Sequence, residues 1–252
     1  MITAEPNKEI SIILPAHNEV LQIEKCVREV YRAVSSLSSS YEIIVSEDGS
    51  TDGTDNIVND LASNIPNVTL LHSPFRLGKG MAIKNALNQS NGGVVVFMDV
   101  DLATSLEALP RILEEVEVHG GLAIGSRHIV GSRVQRRLSR TLFSLAYNIF
   151  VRILFLDGVH DHQCGFKAMR RDVAEIMSSI RSNGFFFDTE MILRCKRCGF
   201  AVNEVEVEWS EKRTRSTSKV RLLHDGIGLG FDLLRYRLSP DESCPRPKSV
   251  FA

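Results

Sequence analysis

Two aspartates, Asp99 and Asp101, follow an apolar run, residues 94–98 (VVVFM). Carboxylate oxygens are the ligands that Mg²⁺ and Mn²⁺ prefer, and both ions can also bind a substrate diphosphate. If the run is a strand, its alternation places residues i and i+2 on one side, where both carboxylates can face one cation. Helix capping by Asp101 is the simpler alternative, but the strand-end position favours a metal site. We therefore predict Mg²⁺ or Mn²⁺ as the cofactor.

Three other segments have the composition of a nucleotide site. They are residues 15–19 (PAHNE), 47–53 (EDGSTDG) and 76–80 (RLGKG). Asp48 can accept a hydrogen bond from the imide N–H of uracil or from N1–H of guanine. Its surroundings are also typical of a turn, which is compatible with binding. Gly78 and Gly80 allow the backbone to approach a ligand, and Lys79 between them can meet a base, a ribose or a phosphate.

The elements that must position these residues can be read from the first half of the chain. Short apolar runs occupy residues 10–14, 41–46, 68–71 and 94–98, and segments of helical periodicity separate them. Such a pattern predicts an α/β fold with a parallel sheet that helices cover on both faces. Ligands of such sheets lie beyond the carboxyl ends of the strands. The four polar segments are therefore expected to form one site.

The second half is less regular and contains two apolar stretches of helical period, residues 139–156 and 222–238. The first is too short and too interrupted for a membrane span, which needs about 20 mainly apolar residues. Arginines 133, 136, 137 and 140 flank it. A basic flank on an apolar helix favours a position in the membrane interface, whereas burial in the core or against a second subunit is the alternative. Residues 1–238 are expected to form a single domain, with a mobile tail over 239–252.

Composition narrows the range of partners. The 252 residues carry a formal net charge of -1, which gives no general attraction to nucleic acid, so no nucleic-acid partner is expected. The five cysteines are scattered, and the polar N-terminus lacks the apolar core of a signal peptide. We expect cytosolic thiols. Cys195 and Cys198 form a CxxC pair without a second pair, so buried or idle thiols are favoured over a zinc site.

Taken together, PAHNE, DGSTDGT, RLGKG and DVD resemble the nucleotide-sugar half of family 2 glycosyltransferases with the GT-A fold. Later segments are similar to dolichyl-phosphate mannose and dolichyl-phosphate glucose synthases. These are residues 125–127 (GSR), 161–167 (DHQCGFK), 187–190 (FDTE) and 213–219 (RTRSTSK). The resemblance runs from about residue 10 to 238. It implies an inverting transfer of a hexose from UDP-glucose or GDP-mannose to a polyprenyl or dolichyl phosphate. It also implies a peripheral or monotopic protein on the cytoplasmic face of a membrane.

The resemblance implies a role for each matching residue. The nucleoside pocket would be lined by Pro15, Ala16, Glu19 and Asp48, with Lys79 and Gly80 beside it. Asp99 and Asp101 would hold the divalent cation on the donor diphosphate. Phosphates would be met by Arg127, Arg213 and Lys219. The two apolar stretches would be the membrane-interface helices.

The sequence departs from the family pattern at two positions. Ala103 stands where mannose synthases often carry a glutamine, so the resemblance implies that one metal ligand comes from elsewhere or is water. Ser216 stands where a glycine is usual. The stretch DVDLATS is slightly nearer the glucose-synthase pattern. Two alternatives remain: a GT-A enzyme with a soluble alcohol acceptor and Asp188 or Glu190 as base, and a non-catalytic nucleotide-binding or membrane-adaptor protein.

Overall fold

The computed structural model of the protein describes residues 8–135, 137–184, 186–212, 222–238 and 244. Its strands are β1 Lys8–Ala16, β2 Tyr41–Asp48, β3 Val68–Ser73, β4 Gly92–Phe97, β5 Leu122–Ser126, β6 Arg133–Gln135, β7 Lys167–Arg170, β8 Val202–Glu206 and β9 Glu208–Ser210. Its α-helices are α1 Ile23–Ser35, α2 Thr54–Asn64, α3 Lys79–Gln89, α4 Leu109–His119, α5 Leu138–Phe155, α6 Arg171–Ala174, α7 Phe187–Arg197 and α8 Leu222–Leu238. Short 3-10 turns at Leu106–Ala108 and Glu175–Ser179 precede α4 and follow α6.

A seven-stranded sheet in the order β3-β2-β1-β4-β7-β5-β8 forms the centre of the molecule. The strands β1 to β4 pair in parallel, as their almost wholly apolar sequences predict. Ile12 and Ile13 point to opposite faces of β1 and are both fully buried, so helices cover both faces. The prediction of an α/β sheet with the strand ends on one edge is confirmed.

Strand β7 is the exception to the parallel arrangement. It lies antiparallel between β4 and β5, with Lys167 opposite both Phe97 and Ile124. Four residues with two basic side chains give no alternation strong enough to predict a strand from sequence. The structure therefore inserts a late segment of the chain into the middle of the sheet.

Two apolar layers enclose the sheet. On one face, α1, α2 and α4 pack on side chains such as Ile12 and Val96. On the other face, α3, α6 and α7 pack on side chains such as Ile13 and Phe97. A third cluster joins α5, α7 and α8 through residues that include Tyr147, Leu193 and Leu233. The helix α5 is therefore attached to the molecule through α7 and α8 as well as through the loops of the site.

Helix α5 has an unusual distribution of polarity. Its buried positions are Ser144, Tyr147, Asn148 and Val151. Its exposed face is apolar and includes Leu142, Leu145, Ile149, Phe150 and Ile153, with Leu142 66% and Ile153 69% exposed. A helix on the surface of a globular protein normally buries its apolar stripe. Within the described ranges, no helix is long and apolar enough to cross a membrane.

Two expectations about the second half need correction. The alternating segment over residues 200–209 is divided between β8, in the main sheet, and β9, which pairs with β6. The expectation that all cysteines are thiols is wrong, because Cys198 at the end of α7 and Cys244 form a disulfide. Their separation of 46 positions along the chain hid this pairing from sequence reasoning. Cys195 is a buried thiol, as predicted, and burial raises its pKa to about 12.

Candidate active site

The loops after β1 and β2 are held together by hydrogen bonds. The backbone N–H of Asn18 donates to Ser50 Oγ, and that of Thr51 donates to Asn18 Oδ1, each over 2.8 Å. The backbone N–H of Glu19 donates to Thr54 Oγ1 over 2.8 Å, and the Glu19 side chain is buried between the loops. The PAHNE and DGSTDGT segments therefore form one rigid wall at the carboxyl edge of the sheet.

Asp48, the last residue of β2, holds a third loop against this wall. Its Oδ1 accepts the backbone N–H of Leu77 over 2.6 Å, and its Oδ2 accepts that of Gly78 over 2.8 Å. The loop can approach because residue 49 is glycine: a Cβ there would lie 2.5 Å from the backbone of Phe75 and Arg76. A carboxylate has about four acceptor sites, so Asp48 retains capacity for a ligand donor.

A chain of four alternating charges crosses the site. Lys79, at the start of α3, places Nζ 2.9 Å from Asp99 Oδ1 and 3.2 Å from Asp188 Oδ2. The other oxygen of Asp188 lies 2.6 Å from Nζ of Lys167, which is fully buried. Burial alone would lower the pKa of Lys79, but the Asp188 and Asp99 charges outweigh it and raise that pKa. Lys79 is therefore a fixed cation beside Asp99.

Arg127, in the loop after β5, forms a second buried ion pair. Its Nε and Nη2 lie 2.6 and 2.8 Å from the two carboxylate oxygens of Asp161, and its guanidinium stacks over the Trp209 ring at 5.6 Å. Burial alone would raise the pKa of Asp161, but the charge and hydrogen bonds of Arg127 hold it well below its usual range. This bidentate pair fixes the orientation of the guanidinium.

Asp99 and Asp101 do not lie on a strand, as the alternation argument required. Strand β4 ends at Phe97, and Asp101 lies in a turn. Asp101 Oδ1 accepts the backbone N–H of Ala103 over 3.1 Å, and a Cβ at Gly165 would lie 1.9 Å from Asp99 Oδ2. Among the described residues, no three His, Cys, Asp or Glu side chains are grouped to hold a metal. Two carboxylates fit a Mg²⁺ or Mn²⁺ site that substrate phosphate and water complete, which is the usual mode for Mg²⁺.

The predicted site residues are brought together only in part. Pro15 and Ala16 end β1 in register with Ser46 and Glu47 of β2, at the wall described above. Gly80 faces Phe187, and a Cβ there would lie 2.7 Å from the ring, so this glycine also lets α3 pack on α7. The residues predicted to meet phosphate in the RTRSTSK loop, Arg213 and Lys219, lie outside the described residues.

Sequence reasoning missed three residues of the site. Lys167 and Asp161 were noticed only as parts of motifs, and the stacking of Trp209 on Arg127 was not foreseen. A signal was present for Lys167, because a charged residue within the apolar segment CGFKAM must find a partner when buried. The pairing itself spans 34 residues for Arg127 and Asp161, and sequence alone does not provide it.

The sequence matches the family model described as Glycosyl transferase family 2 over residues 11–177. It is 37% identical to glycosyltransferase AglD of Haloferax volcanii over 231 residues, which is 90% of this chain and 36% of that protein. It is 30% identical to dolichyl-phosphate beta-glucosyltransferase of Dictyostelium discoideum, covering 92% of this chain and 74% of that protein. It is 31% identical to polyprenol monophosphomannose synthase of Mycolicibacterium smegmatis, covering 83% and 80%. The chain thus spans about a third of AglD and about three quarters of the other two.

Solved structures share the fold. A mycobacterial protein superimposes with a TM-score of 0.69 at 22% identity, over 96% of this chain and 82% of that one. Glucosyl-3-phosphoglycerate synthase from Mycobacterium tuberculosis, in complex with Mn²⁺, UDP and glucosyl-3-phosphoglycerate, gives a TM-score of 0.65 at 22% identity, over 94% and 82%. These similarities confirm the GT-A architecture expected from the sequence. From the family match and the identity to its relatives, the chain belongs to glycosyl transferase family 2.

Proposed function

We propose that the chain is an inverting glycosyltransferase that moves a hexose from UDP-glucose or GDP-mannose to a polyprenyl or dolichyl phosphate. The observation that carries the proposal is the outward apolar face of α5, a helix whose opposite face contacts the loops of the site. An acceptor with a phosphate head and a hydrocarbon chain needs a catalytic site beside an apolar surface. The relatives named dolichyl-phosphate beta-glucosyltransferase and polyprenol monophosphomannose synthase support this acceptor class.

The apolar face suits a membrane interface. Leu142, Ile149 and Ile153 on α5 and Phe231 on α8 are exposed, and Arg235 and Arg237 lie in the last turn of α8. In an interface helix, apolar side chains enter the acyl boundary while basic side chains remain near lipid phosphates. We therefore infer a peripheral or monotopic protein on the cytoplasmic face of the membrane, where the water-soluble donor is available.

The acceptor does not need a general base. A phosphate monoester has a second pKa near 6, so at pH 7 it is largely dianionic and already nucleophilic. One of its oxygens forms a bond to the anomeric carbon while the bond from that carbon to the donor diphosphate breaks, and the nucleoside diphosphate leaves with the electron pair. Direct displacement inverts the configuration at this carbon. The protein must supply alignment and compensation of negative charge.

The charged residues of the site fit these tasks. Asp99 and Asp101 would hold Mg²⁺ or Mn²⁺, which when bound neutralises the leaving diphosphate. Lys79 adds a fixed positive charge next to Asp99. Asp161 accepts hydrogen bonds from Nε and Nη2 of Arg127. A phosphate would therefore contact Nη1 or replace Asp161 at the guanidinium. Arg213 and Lys219 would supply further contacts to phosphate.

The alternative, a soluble alcohol acceptor, requires a base, and the two candidates are engaged elsewhere. Both oxygens of Asp188 contact lysines; burial would raise its pKa, but the Lys167 and Lys79 charges lower it. The Glu190 oxygens accept the backbone N–H groups of Arg181 and Ser182, each over 2.9 Å. A carboxylate held in this way is a weak base. The membrane-adaptor alternative is disfavoured because the relatives are named glycosyltransferases.

The decisive experiment incubates the protein with radiolabelled UDP-glucose or GDP-mannose and a short polyprenyl phosphate. We expect label in the organic phase with one of the two donors. The matched control is the corresponding polyprenol, which lacks the phosphate and should accept nothing. Label that remains in the aqueous phase on a soluble acceptor such as 3-phosphoglycerate would overturn the lipid assignment and favour the alternative.

The metal assignment has its own test, the substitution Asp101→Ala. We expect turnover to fall by at least about 10³-fold, because charge stabilisation at a leaving group accounts for several kcal/mol of the barrier. Circular dichroism should remain unchanged, and wild-type activity should disappear in excess chelator and return with Mg²⁺ or Mn²⁺. Full activity in chelator would refute the assignment.

A further inference from the structure

The buried face of α5 is polar, and each polar side chain on it contacts a different segment of the site. His128 Nε2 lies 3.2 Å from Ser144 Oγ. The Tyr147 and Thr189 hydroxyls are 2.8 Å apart. Asn148 Oδ1 accepts from the backbone N–H of His162 over 3.0 Å. Ser144, Tyr147 and Asn148 occupy positions i, i+3 and i+4, which share one face of a helix.

The partners of α5 show a regularity. His128 follows Arg127, His162 follows Asp161, and Thr189 follows Asp188. Each is therefore the next residue after a charged group of the site. Because consecutive Cα atoms are a fixed 3.80 Å apart, holding one residue also limits the position of its neighbour. The buried face of α5 thus restrains all three charged groups at once.

The contact with His162 is the most constrained of the three. Asn148 Nδ2 donates to the Ser144 carbonyl over 3.0 Å, which leaves Oδ1 facing the His162 ring at 3.0 Å from Nδ1. The other ring nitrogen, Nε2, lies 2.5 Å from Asp157 Oδ2. Both ring nitrogens therefore lie within hydrogen-bond distance of a side-chain oxygen, and the ring is held from two sides.

The ring has a buried carboxylate partner. Burial alone would raise the pKa of Asp157, but the hydrogen bond from His162 outweighs it and that pKa is lowered. His162 is fully buried, and the Lys196 ammonium contacts the Asp157 carbonyl. A buried hydrogen bond between two polar side chains tolerates little displacement, because a polar group left without its partner in the interior is costly. The end of α5 and the loop at residue 161 are therefore locked together.

We propose that Ser144, Tyr147 and Asn148 are positioning residues, which hold Arg127, Asp161 and Asp188 in their active arrangement. The same helix carries the exposed apolar face, so α5 joins the surface proposed to meet the acceptor to the charged groups that act on it. The inference rests on the proposed function for the reaction that it affects, but the network itself does not depend on which acceptor is used.

The test compares Tyr147→Phe and Asn148→Leu with Thr141→Val. Thr141 also lies on α5, and among the described residues its hydroxyl donates to the carbonyl of Arg137, just before the helix, so this variant is a matched loss of a hydroxyl. We expect kcat to fall about 10-fold in each of the first two variants, since displacement of about 1 Å can cost 100-fold. The donor KM should change by less than about twofold, because the hydrogen-bond partners of Tyr147 and Asn148 outside α5 are Thr189 and His162 rather than Asp48 or the loop that it holds. The control should keep the wild-type kcat.

The outcomes distinguish failure of this inference from failure of the proposed function. If kcat per folded molecule equals that of Thr141→Val while only the melting temperature falls, the residues are merely structural and the inference is overturned. Fluorescence titration with UDP and GDP verifies folding of each variant independently of turnover. If wild-type protein transfers only to a soluble acceptor, the proposed function fails, but the same kcat comparison with that acceptor still decides the inference.

Discussion

Lys167 is an ammonium with no exposure to solvent, and its charge is balanced by Asp188 at 2.6 Å. The Cys164 carbonyl accepts a second hydrogen bond from the same nitrogen over 2.5 Å. The Phe97 side chain belongs to the neighbouring strand β4, and its ring centroid lies 5.6 Å from Nζ. Such a group depends on its counterion, because an ammonium left alone in the interior is expensive.

We therefore predict that Asp188→Asn lowers the free energy of unfolding by about 3–5 kcal/mol, the range for breaking one partner of a buried pair. The measurement is urea denaturation, monitored by tryptophan fluorescence. Glu208→Gln is the control: it breaks an ion pair with Arg133 that is largely exposed, so a change below about 1 kcal/mol is expected. A loss for Asp188→Asn as small as that of the control would contradict the prediction.

Asp48→Ala tests the assignment of the nucleoside pocket at the same scale. We expect the donor KM to rise about tenfold, because the substitution removes the acceptor for the Leu77 and Gly78 amides and for the base. Asp55→Ala, on α2, is the control and should leave the KM unchanged. Unchanged calorimetric affinity of Asp48→Ala for both UDP and GDP would count decisively against this role.

At the scale of elements, α5 is defined by its inverted polarity. We predict that Phe150→Glu combined with Ile153→Glu reduces binding to anionic vesicles by at least about tenfold, since two apolar side chains then leave the acyl boundary. Val118→Glu on α4, which replaces an apolar side chain that is 67% exposed, is the matched control and should bind as wild type. Flotation with liposomes measures both.

The competing explanation of this face is a subunit contact, because an exposed apolar patch is typical of either kind of interface. Sedimentation distinguishes the two. A stable dimer that does not float with liposomes, and whose Phe150/Ile153 variant still glycosylates lipid phosphate, would defeat the membrane assignment.

The elements also explain what sequence could predict. The strands β1 to β4 are apolar runs bounded by polar loops, so their parallel pairing and the common edge of their loops followed from pattern alone. The antiparallel β7 did not, because the segment KAMR has no period of its own and is determined by its neighbours. Likewise, the alternation argument for Asp99 and Asp101 required a strand through residue 101, whereas β4 ends at Phe97.

The partners of the charged residues were harder to predict than the positions of the loops. Sequence placed Asp48, Lys79, Asp99 and Arg127 at the site, but the structure provides their partners, which lie between 20 and 109 residues away. The disulfide between Cys198 and Cys244 was missed for the same reason, because separation along the chain does not indicate proximity in space. Residue types and strand ends can be read from short segments of sequence, whereas contacts between distant segments cannot.

For the whole molecule, three buried carboxylates determine the response to acid. Burial opposes ionisation of Asp157, Asp161 and Asp188, but cationic partners outweigh it and lower each pKa. A lowered pKa contributes stability that is present above the unfolded value, about 3.9, and is lost as pH falls through the folded value. We predict a constant free energy of unfolding between pH 5 and 8 from these groups, and a steep loss below about pH 4. Urea titrations at each pH measure this, and a midpoint near pH 6 would contradict it.

The antiparallel strand β7 has a consequence for biosynthesis. The ribosome releases β4 and β5 well before Lys167–Arg170, the segment that must lie between them. Until then each of these strands has an unpaired edge, which is open to aggregation. The β1 to β4 unit can form early, but β4 and β5 cannot be joined in one sheet until Lys167–Arg170 has been translated. Lys167 enters with this strand, and the charge chain is completed later still, when Asp188 follows it.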